Sequence, residues 1–265
     1  MANGATPGAA PDALLSVEGV SVRFGGVIAL DDVRFSVAPG QICGLIGPNG
    51  AGKTTLFNCI SRLYQPSAGD IRYQGRRLSQ VRVHEIAELG VARTFQNLAL
   101  FSTMTVRENV AVGAHACARG GFLANAFSTP QARRAEREIM ALANALIEEC
   151  RLQRVADRYV GELPFGVKKR VELARALAIA PKLLLLDEPA AGLNHEEVDE
   201  LASEIVRMRD KRGLSVLLVE HHMNLVMRIS DQVVALDFGR VIADGTPDAV
   251  RAHPDVIRAY LGAAA

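Results

Sequence analysis

The chain has 265 residues, of which 49% are hydrophobic and 22% are charged, so it can form one large or two modest domains around an ordinary core. Its 30 lysines and arginines balance 29 aspartates and glutamates and it has no tryptophan, which argues against a nucleic-acid partner. No apolar run approaches the roughly 20 residues that cross a bilayer, and the N-terminus lacks a signal pattern. We expect a cytosolic protein whose four cysteines, none in CxxC spacing, are reduced, packed thiols: Cys43, Cys59, Cys117 and Cys150.

The N-terminal segments predict a tail followed by a small sheet. Residues 1–12 are small and turn-forming, and we expect a mobile tail ahead of a single domain over residues 13–265. Short β-rich segments then run from LLSVEGVSVRF to VRFSVAPG, broken by glycine and proline, as expected for a small antiparallel sheet. Phe24 lies in this part; its ring could pack in the sheet or stack on a nucleotide base, and taken alone it favours packing.

A phosphate-binding loop follows the next predicted strand, QICGLI. The segment GPNGAGKTT fits the pattern G-x-x-x-x-G-K-[ST] in the strand–loop–helix context that this motif needs. Its backbone N–H groups would surround phosphates, Lys53 would reach the β and γ groups, and Thr54 would offer a hydroxyl to Mg²⁺. The predicted nucleotide-binding residues of the loop are Gly47, Pro48, Asn49, Gly50, Ala51, Gly52, Lys53, Thr54 and Thr55. A glycine-rich turn without function is the alternative.

Helix patterns dominate from about residue 105 to residue 178. Gln96, in RTFQN, lies where the chain enters this block, and by itself it indicates only a solvated linker residue. STPQARRAEREIMALANALIEEC predicts a helix capped by Ser128 or Thr129, with Pro130 in its first turn. The apolar face of this helix is expected to comprise Ile139, Leu142, Ala143, Leu146 and Ile147.

A second helix is predicted from GELPFGVKKRVELARALA. We expect the chain to turn sharply at Gly166 and then to begin a helix, whose N-terminus is a natural seat for an anion. Three cations follow at Lys168, Lys169 and Arg170, and we expect them to form a solvated helix face, leaving the backbone N–H groups to bind the anion.

Two continuous apolar runs that end in polar residues predict central parallel strands. The strand in KLLLLDEP ends at Asp187, where a buried carboxylate is costly unless it has a cation or a hydrogen-bond partner. Asp187 is therefore a candidate Mg²⁺ group, either as a direct ligand or through a bound water. Glu188 is placed to polarise an attacking water as a general base. SVLLVEHH ends at Glu220, His221 and His222, where a histidine could contact the γ-phosphate. Taken alone, the acids could simply cap a turn and the histidines could lie on the surface.

In this order, these segments resemble the nucleotide-binding subunits of ATP-binding cassette transporters over residues 14–262. The matching parts are the phosphate loop, the Gln96 loop, LPFGVKKR at the signature position, LLLLDEP, AAGLN and EHH. Within the family, RTFQNLALFSTMTVRENV, GGFLANAFSTPQARRAERE and the ending HPDVIRAYLG are similar to the LivG-type ATPases of branched-chain amino acid importers.

The resemblance implies an α/β fold with three parts. A P-loop NTPase core, with a mostly parallel sheet and flanking helices, would carry a small antiparallel β-subdomain and an α-helical subdomain. The core and β-subdomain would comprise residues 13–96 and 180–265, and the helical subdomain about 97–179.

The resemblance also implies a site that is shared between two chains. ATP and Mg²⁺ would bind between two cassettes, so that the signature residues of one chain act on the ATP of the other: Leu163, Pro164, Phe165, Gly166 and Val167. Glu188 and His221 would be catalytic, Phe24 and Gln96 would join the nucleotide site, and the Mg²⁺ ligands would be Thr54, Gln96 and Asp187. The loop that contacts the partner would be Ala191, Gly192, Leu193 and Asn194.

Three positions depart from the family pattern. Pro164 stands where most cassettes have a serine that donates to the γ-phosphate, and proline has neither a hydroxyl nor an N–H. The N–H of Gly166 and the helix dipole could suffice, or this signature could be the weaker half of an asymmetric pair. Asn194 replaces an aspartate and removes a charge from the dimer contact, and His222 replaces an aspartate after His221.

The implied partners are a second cassette, of the same or a sister chain, two transmembrane permease subunits and, indirectly, a solute-binding protein. The chain would lie on the cytoplasmic face of the inner membrane and power uptake of branched-chain amino acids or a similar solute. A permease helix is expected to dock around a patch that could instead be ordinary core: Leu98, Phe101, Met104 and Val106. The alternatives are a soluble cassette ATPase in translation or repair, a lipid exporter, and a P-loop kinase or GTPase, although no N-K-x-D motif is present.

Overall fold

The computed structural model describes residues 13–94, 98–115 and 130–262. The predicted tail over residues 1–12, Gln96, Cys117 and the two candidate caps Ser128 and Thr129 lie outside the described residues.

Ten strands and nine α-helices make up the described part of the chain. The strands are β1 (Leu15–Phe24), β2 (Val27–Val37), β3 (Ile42–Ile46), β4 (Ala68–Tyr73), β5 (Arg76–Arg77), β6 (Val91–Arg93), β7 (Leu183–Asp187), β8 (Ser215–Val219), β9 (Gln232–Asp237) and β10 (Arg240–Gly245). The helices are α1 (Lys53–Ile60), α2 (Glu85–Glu88), α3 (Val106–His115), α4 (Pro130–Glu149), α5 (Phe165–Leu177), α6 (His195–Arg212), α7 (Met223–Ile229), α8 (Pro247–Arg251) and α9 (Pro254–Gly262).

A six-stranded, mostly parallel sheet forms the centre of the molecule, as the sequence predicts. Its order is β10-β9-β3-β8-β7-β6, and only β10 runs antiparallel to its neighbour. Strand β7 is buried along its whole length because its side chains alternate between two cores: Leu184 and Leu186 point into one, and Leu183 and Leu185 into the other. Burial on both faces explains why the sequence runs there are continuously apolar rather than alternating.

A four-stranded antiparallel sheet, in the order β2-β1-β4-β5, covers one of these cores. It confirms the small sheet that the N-terminal segments predict. The phosphate-loop helix α1 packs into the same core, where Leu56, Phe57 and Ile60 are fully buried.

Helices α3, α4 and α5 contribute to the other core. On α4, Ile139, Ala143, Leu146 and Ile147 are buried as predicted, whereas Leu142 is exposed because it lies at the edge of the apolar stripe. None of the described helices is long and apolar enough to span a bilayer.

The described cysteines Cys43, Cys59 and Cys150 are free thiols inside the molecule. Burial raises the pKa of Cys59 to about 11 and that of Cys150 to about 12, so both stay protonated at neutral pH.

Candidate nucleotide-binding and hydrolysis site

The phosphate loop, the acids after β7 and the histidines after β8 lie at one edge of the central sheet, where the parallel strands β3, β6, β7 and β8 end. The phosphate loop follows β3 directly, and Glu188 and Glu220 follow β7 and β8. In the register of the sheet, Asp187 pairs with Val219, so the acid-containing and histidine-containing turns lie side by side. Ligands bind at this carboxyl edge in open α/β sheets.

Lys53 is folded back across its own phosphate loop. Its Nζ donates hydrogen bonds to the carbonyl oxygens of Gly47, at 2.7 Å, and Pro48, at 2.9 Å. Burial lowers the pKa of Lys53, and the charges of Glu188 and Asp187 act against that shift. The loop cation and the two strand-end carboxylates therefore lie within one electrostatic environment.

Asp187 has a partner that the sequence reasoning missed. Nη2 of Arg93, the last residue of β6, donates to Oδ2 of Asp187 at 2.8 Å, and both side chains are almost fully buried. Arg93 also donates to Asn58 and Ser61 at the end of α1. Burying a carboxylate is costly unless a cation pairs with it, and in this structure the pairing cation is the guanidinium of Arg93.

The residues predicted to hold Mg²⁺ have suitable donor chemistry. Thr54 has an exposed side chain in the first turn of α1, and Asp187 ends β7, so a hydroxyl and a carboxylate oxygen are available, which are the hard ligands that Mg²⁺ prefers. When bound, Mg²⁺ would neutralise phosphate charge. The third predicted ligand, Gln96, lies outside the described residues.

Glu188 and His221 are joined directly. Nε2 of His221 lies 2.6 Å from Oε1 of Glu188, and the N–H of Glu188 donates to the carbonyl of Val219 at 2.9 Å. Glu188 adopts a left-handed backbone with φ 48°, which costs a non-glycine residue about 1–2 kcal/mol and marks a conformation held by its surroundings. His222 instead provides the N-cap residue of α7. His221 is therefore the histidine that the structure places against the Glu188 carboxylate.

Glu220 links the turns that follow β7 and β8, a contact that the sequence does not predict. Its side chain is buried, with the residue only 1% exposed, and it accepts hydrogen bonds from the backbone N–H groups of Ala190, at 2.6 Å, His221, at 2.9 Å, and His222, at 3.3 Å. One carboxylate thus fixes the main chain next to both Glu188 and His221.

The signature segment differs from its prediction in two respects. Pro164 is the N-cap residue of α5 and Phe165 begins the helix, so Gly166 lies inside the first turn instead of making a sharp turn before it. The expectation of a solvated cationic face is wrong for Lys169, which is 6% exposed. Its ammonium lies over the Phe165 ring, 5.6 Å from the ring centroid. Lys168 donates to the carbonyl of Gly161.

The signature segment and the predicted dimer loop adjoin one another within the chain. Gly192 has φ +79° and faces the Phe165 ring so closely that a Cβ there would lie 3.0 Å from it. Asn194 caps α6: its side chain accepts from the N–H of Glu197, whose carboxylate accepts from the N–H of Asn194. The spacing N-x-x-E is typical of this capping box, so the sequence has a local signal for the role of Asn194 besides the missing charge. Ala191 and Leu193 are half-buried, and Leu163 is buried while Val167 packs against the core.

Two further predictions fall on surface positions. Phe24 is 48% exposed at the end of β1 and meets Tyr64 edge-on, with ring centroids 5.3 Å apart, so its ring keeps a face open. The predicted docking patch is not a single surface, because Val106 is fully buried at the start of α3 whereas Phe101 is exposed. Leu98 and Met104 are intermediate.

The fold and the grouping of phosphate loop, strand-end acids and histidine define a P-loop ATPase. The model of the ABC transporter family matches residues 30–191, and a model described as branched-chain amino acid ATP-binding cassette transporter matches residues 240–265. The chain belongs to the ATP-binding cassette transporter family. It binds and hydrolyses ATP.

Relatives and solved structures agree with this assignment. The chain is 47% identical, over 95% of its length and 98% of the relative's, to the high-affinity branched-chain amino acid transport ATP-binding protein BraF of Pseudomonas aeruginosa. It is 44% identical, with the same coverage, to the corresponding LivG protein of Escherichia coli. A solved ATP-binding cassette of an ABC transporter in its ADP conformation superimposes with TM-score 0.81 at 30% identity, covering 94% of this chain and 99% of that one. Membership of this family excludes the kinase and GTPase alternatives.

Proposed function

We propose that this chain is the ATPase subunit of an importer for branched-chain amino acids or closely similar small solutes. The observation that supports an energy-coupling role is the direct contact of 2.6 Å between Glu188 and His221 at the sheet edge beside the phosphate loop. The cargo class rests on the printed functions of the 47% and 44% identical relatives and on the matching C-terminal segment.

In the proposed mechanism, the chain's own residues place the nucleotide and the attacking water. Lys53 leaves the loop carbonyls to bind the β- and γ-phosphates, and the loop N–H groups surround them. Glu188 accepts the proton of the attacking water, while His221 holds the Glu188 carboxylate and contacts the γ-phosphate. Phosphoryl transfer needs mainly positioning and charge stabilisation, which this arrangement supplies.

We further propose that the site is completed by a second cassette. Pro164, Phe165 and Gly166 present the open N-terminus of α5 on the surface next to loop 191–194, and this chain's own phosphate loop lies at the end of β3. A helix N-terminus offers unpaired N–H groups to an anion even without a signature serine. The N-terminus of α5 would therefore act on ATP held by the partner cassette, a copy of this chain or a sister chain. A composite site would couple ATP hydrolysis to closure.

The remaining partners follow from the same proposal. Two permease subunits would hold the cassette at the cytoplasmic face of the inner membrane, and a solute-binding protein would deliver cargo to them. Exposed Phe101 remains in the proposed docking surface, whereas buried Val106 does not. A soluble role in translation or repair and lipid export are not favoured, because the relatives described above are amino acid transport proteins.

Solute uptake tests the proposal in the organism that encodes the chain. Cells carrying Glu188→Gln as the sole copy should lose high-affinity uptake of labelled leucine, isoleucine and valine, while cells carrying the exposed-site control Tyr159→Phe should not. Loss of a different solute with normal leucine uptake would show that the cargo is wrong. Unchanged uptake of every tested solute would refute the import function.

A further inference from the structure

The C-terminal helix α9 reaches back to the start of the phosphate loop through one side chain. The backbone N–H of Gly47 donates a hydrogen bond of 2.8 Å to the hydroxyl of Tyr260, which is 213 residues further along the chain. Gly47 itself is buried. An N–H in such a position must find an acceptor, and here the acceptor belongs to the C-terminal segment.

The backbone at the start of the loop is confined by strand β9 as well as by the contact with Tyr260. Gly47 has φ +151°, and a Cβ at this position would lie 2.2 Å from the carbonyl oxygen of Leu236 in β9. Its N–H points to Tyr260, so it is not among the loop N–H groups that can bind phosphate. The hydroxyl therefore sets the orientation of the peptide from which the phosphate loop begins.

Tyr260 is itself held in place. Its half-buried ring packs against the core cluster that includes Val256, a buried residue one helical turn earlier in α9. Burial raises the pKa of Tyr260, although the bond from Gly47 acts against that shift, so the phenol stays protonated at neutral pH. A cavity of about 500 Å³ lies between the loop tip, residues 48–51, and Asp255, Arg258 and Ala259 of α9. The loop tip is thus not packed tightly against the helix.

We propose that Tyr260 is a positioning residue for nucleotide binding: its hydroxyl anchors Gly47 and thereby couples the C-terminal helix to the conformation of the phosphate loop. The phenol does not touch the nucleotide. It acts by raising the fraction of molecules whose loop is already arranged to receive phosphates.

The variant Tyr260→Phe tests this directly, because it removes one oxygen and keeps the ring that packs in the core. The buried N–H of Gly47 then lacks its acceptor and the loop spends more time in other conformations, so the apparent Kd for nucleotide should rise by about five- to hundredfold. The measurement is a fluorescence titration of the purified full chain with a fluorescent ATP analogue and with the matching ADP analogue. It needs neither turnover nor a permease.

Two control variants separate anchoring from general packing. Tyr159→Phe removes a hydroxyl from a tyrosine that is 53% exposed in another part of the chain, and its Kd should stay within about twofold of wild type. Val256→Ala weakens the packing of α9 but keeps the hydroxyl, so it should lower the melting temperature with little change in Kd. Amide hydrogen exchange in the peptide that spans the phosphate loop should accelerate in Tyr260→Phe and not in Val256→Ala.

The proposal fails if Tyr260→Phe binds both nucleotides as tightly as Tyr159→Phe does. It also fails if Val256→Ala weakens binding as much as Tyr260→Phe does, because the effect would then come from loss of helix packing and not from the hydroxyl. Either outcome would leave ATP binding by the loop itself intact.

Discussion

Replacing Arg93 by methionine should strongly destabilise the chain, because the carboxylate of Asp187 would stay buried without its ion-pair partner. Nη2 of Arg93 lies 2.8 Å from Oδ2 of Asp187, and the two side chains are only 10% and 6% exposed. The guanidinium also lies over the Phe57 ring. Methionine has similar length and can keep that contact, so the variant removes mainly the charge and its hydrogen bonds.

The size of the effect follows from the burial. Removing one partner of a buried ion pair costs about 3–5 kcal/mol, because the remaining charge is uncompensated. In a chain of this size, each kcal/mol lowers the melting temperature by about 2–4 °C, so we expect a fall of about 6–20 °C. The double variant Arg93→Met/Asp187→Asn removes both charges of the ion pair and should recover much of that loss. The bonds from Arg93 to Asn58 and Ser61 are the part that it does not recover.

Thermal unfolding followed by circular dichroism, without nucleotide, measures this prediction on the wild type, both single variants and the double variant. The cycle gives the coupling between the two side chains, which should be well above the few tenths of a kcal/mol found for independent sites. A fall of less than about 2 °C for Arg93→Met would refute the reasoning. So would a double variant whose loss equals the sum of the two single losses.

Three further contacts can each be tested with single variants. His221→Ala should reduce the ATPase rate far more than His222→Ala, because His221 makes the 2.6 Å contact with the Glu188 carboxylate. Equal losses would contradict this assignment. Asn194→Ala should cost about 1 kcal/mol of stability in urea unfolding, whereas Asn194→Asp should be close to neutral, since the cap needs only a side-chain oxygen. The hydrogen bond from Arg212 is the main cause that lowers the pKa of Glu149 from 4.5 to about 2. Glu149→Gln should therefore be less stable than wild type above pH 4.5, and the difference in stability should shrink as pH falls towards 2. A stability difference that does not change with pH would contradict the ion pair.

The sequence predicts the parts of this molecule that rest on local patterns. Strands β7 and β8 are recognisable because burial on both faces demands continuous apolar residues. The phosphate loop is recognisable because its glycines and lysine occur between a strand and a helix. The contact of Glu188 with His221 follows once both are placed after neighbouring parallel strands.

The contacts that the sequence does not reveal join residues that are distant along the chain. Arg93 and Asp187 are bonded although they lie 94 residues apart in the sequence, and Tyr260 and Gly47 are bonded although they lie 213 residues apart. No local periodicity encodes such pairs, because they depend on strand order and helix packing.

Two contacts near the signature segment do have local signals in the sequence. Lys169 lies four residues after Phe165, the spacing at which a lysine can cover a ring on the same helix face. Asn194 and Glu197 have the spacing of a capping box. In both cases the partner lies three or four residues away along the chain, so the contact can be recognised from spacing.

The dependence of ATPase activity on protein concentration tests the central claim most directly, because the proposed site needs a second cassette to act. For the isolated chain, the account predicts specific activity that rises with concentration, or activity that appears only when a sister cassette is added. It also predicts that Glu188→Gln forms an ATP-dependent dimer without turnover. Full specific activity in a preparation that stays monomeric at every concentration would contradict the account.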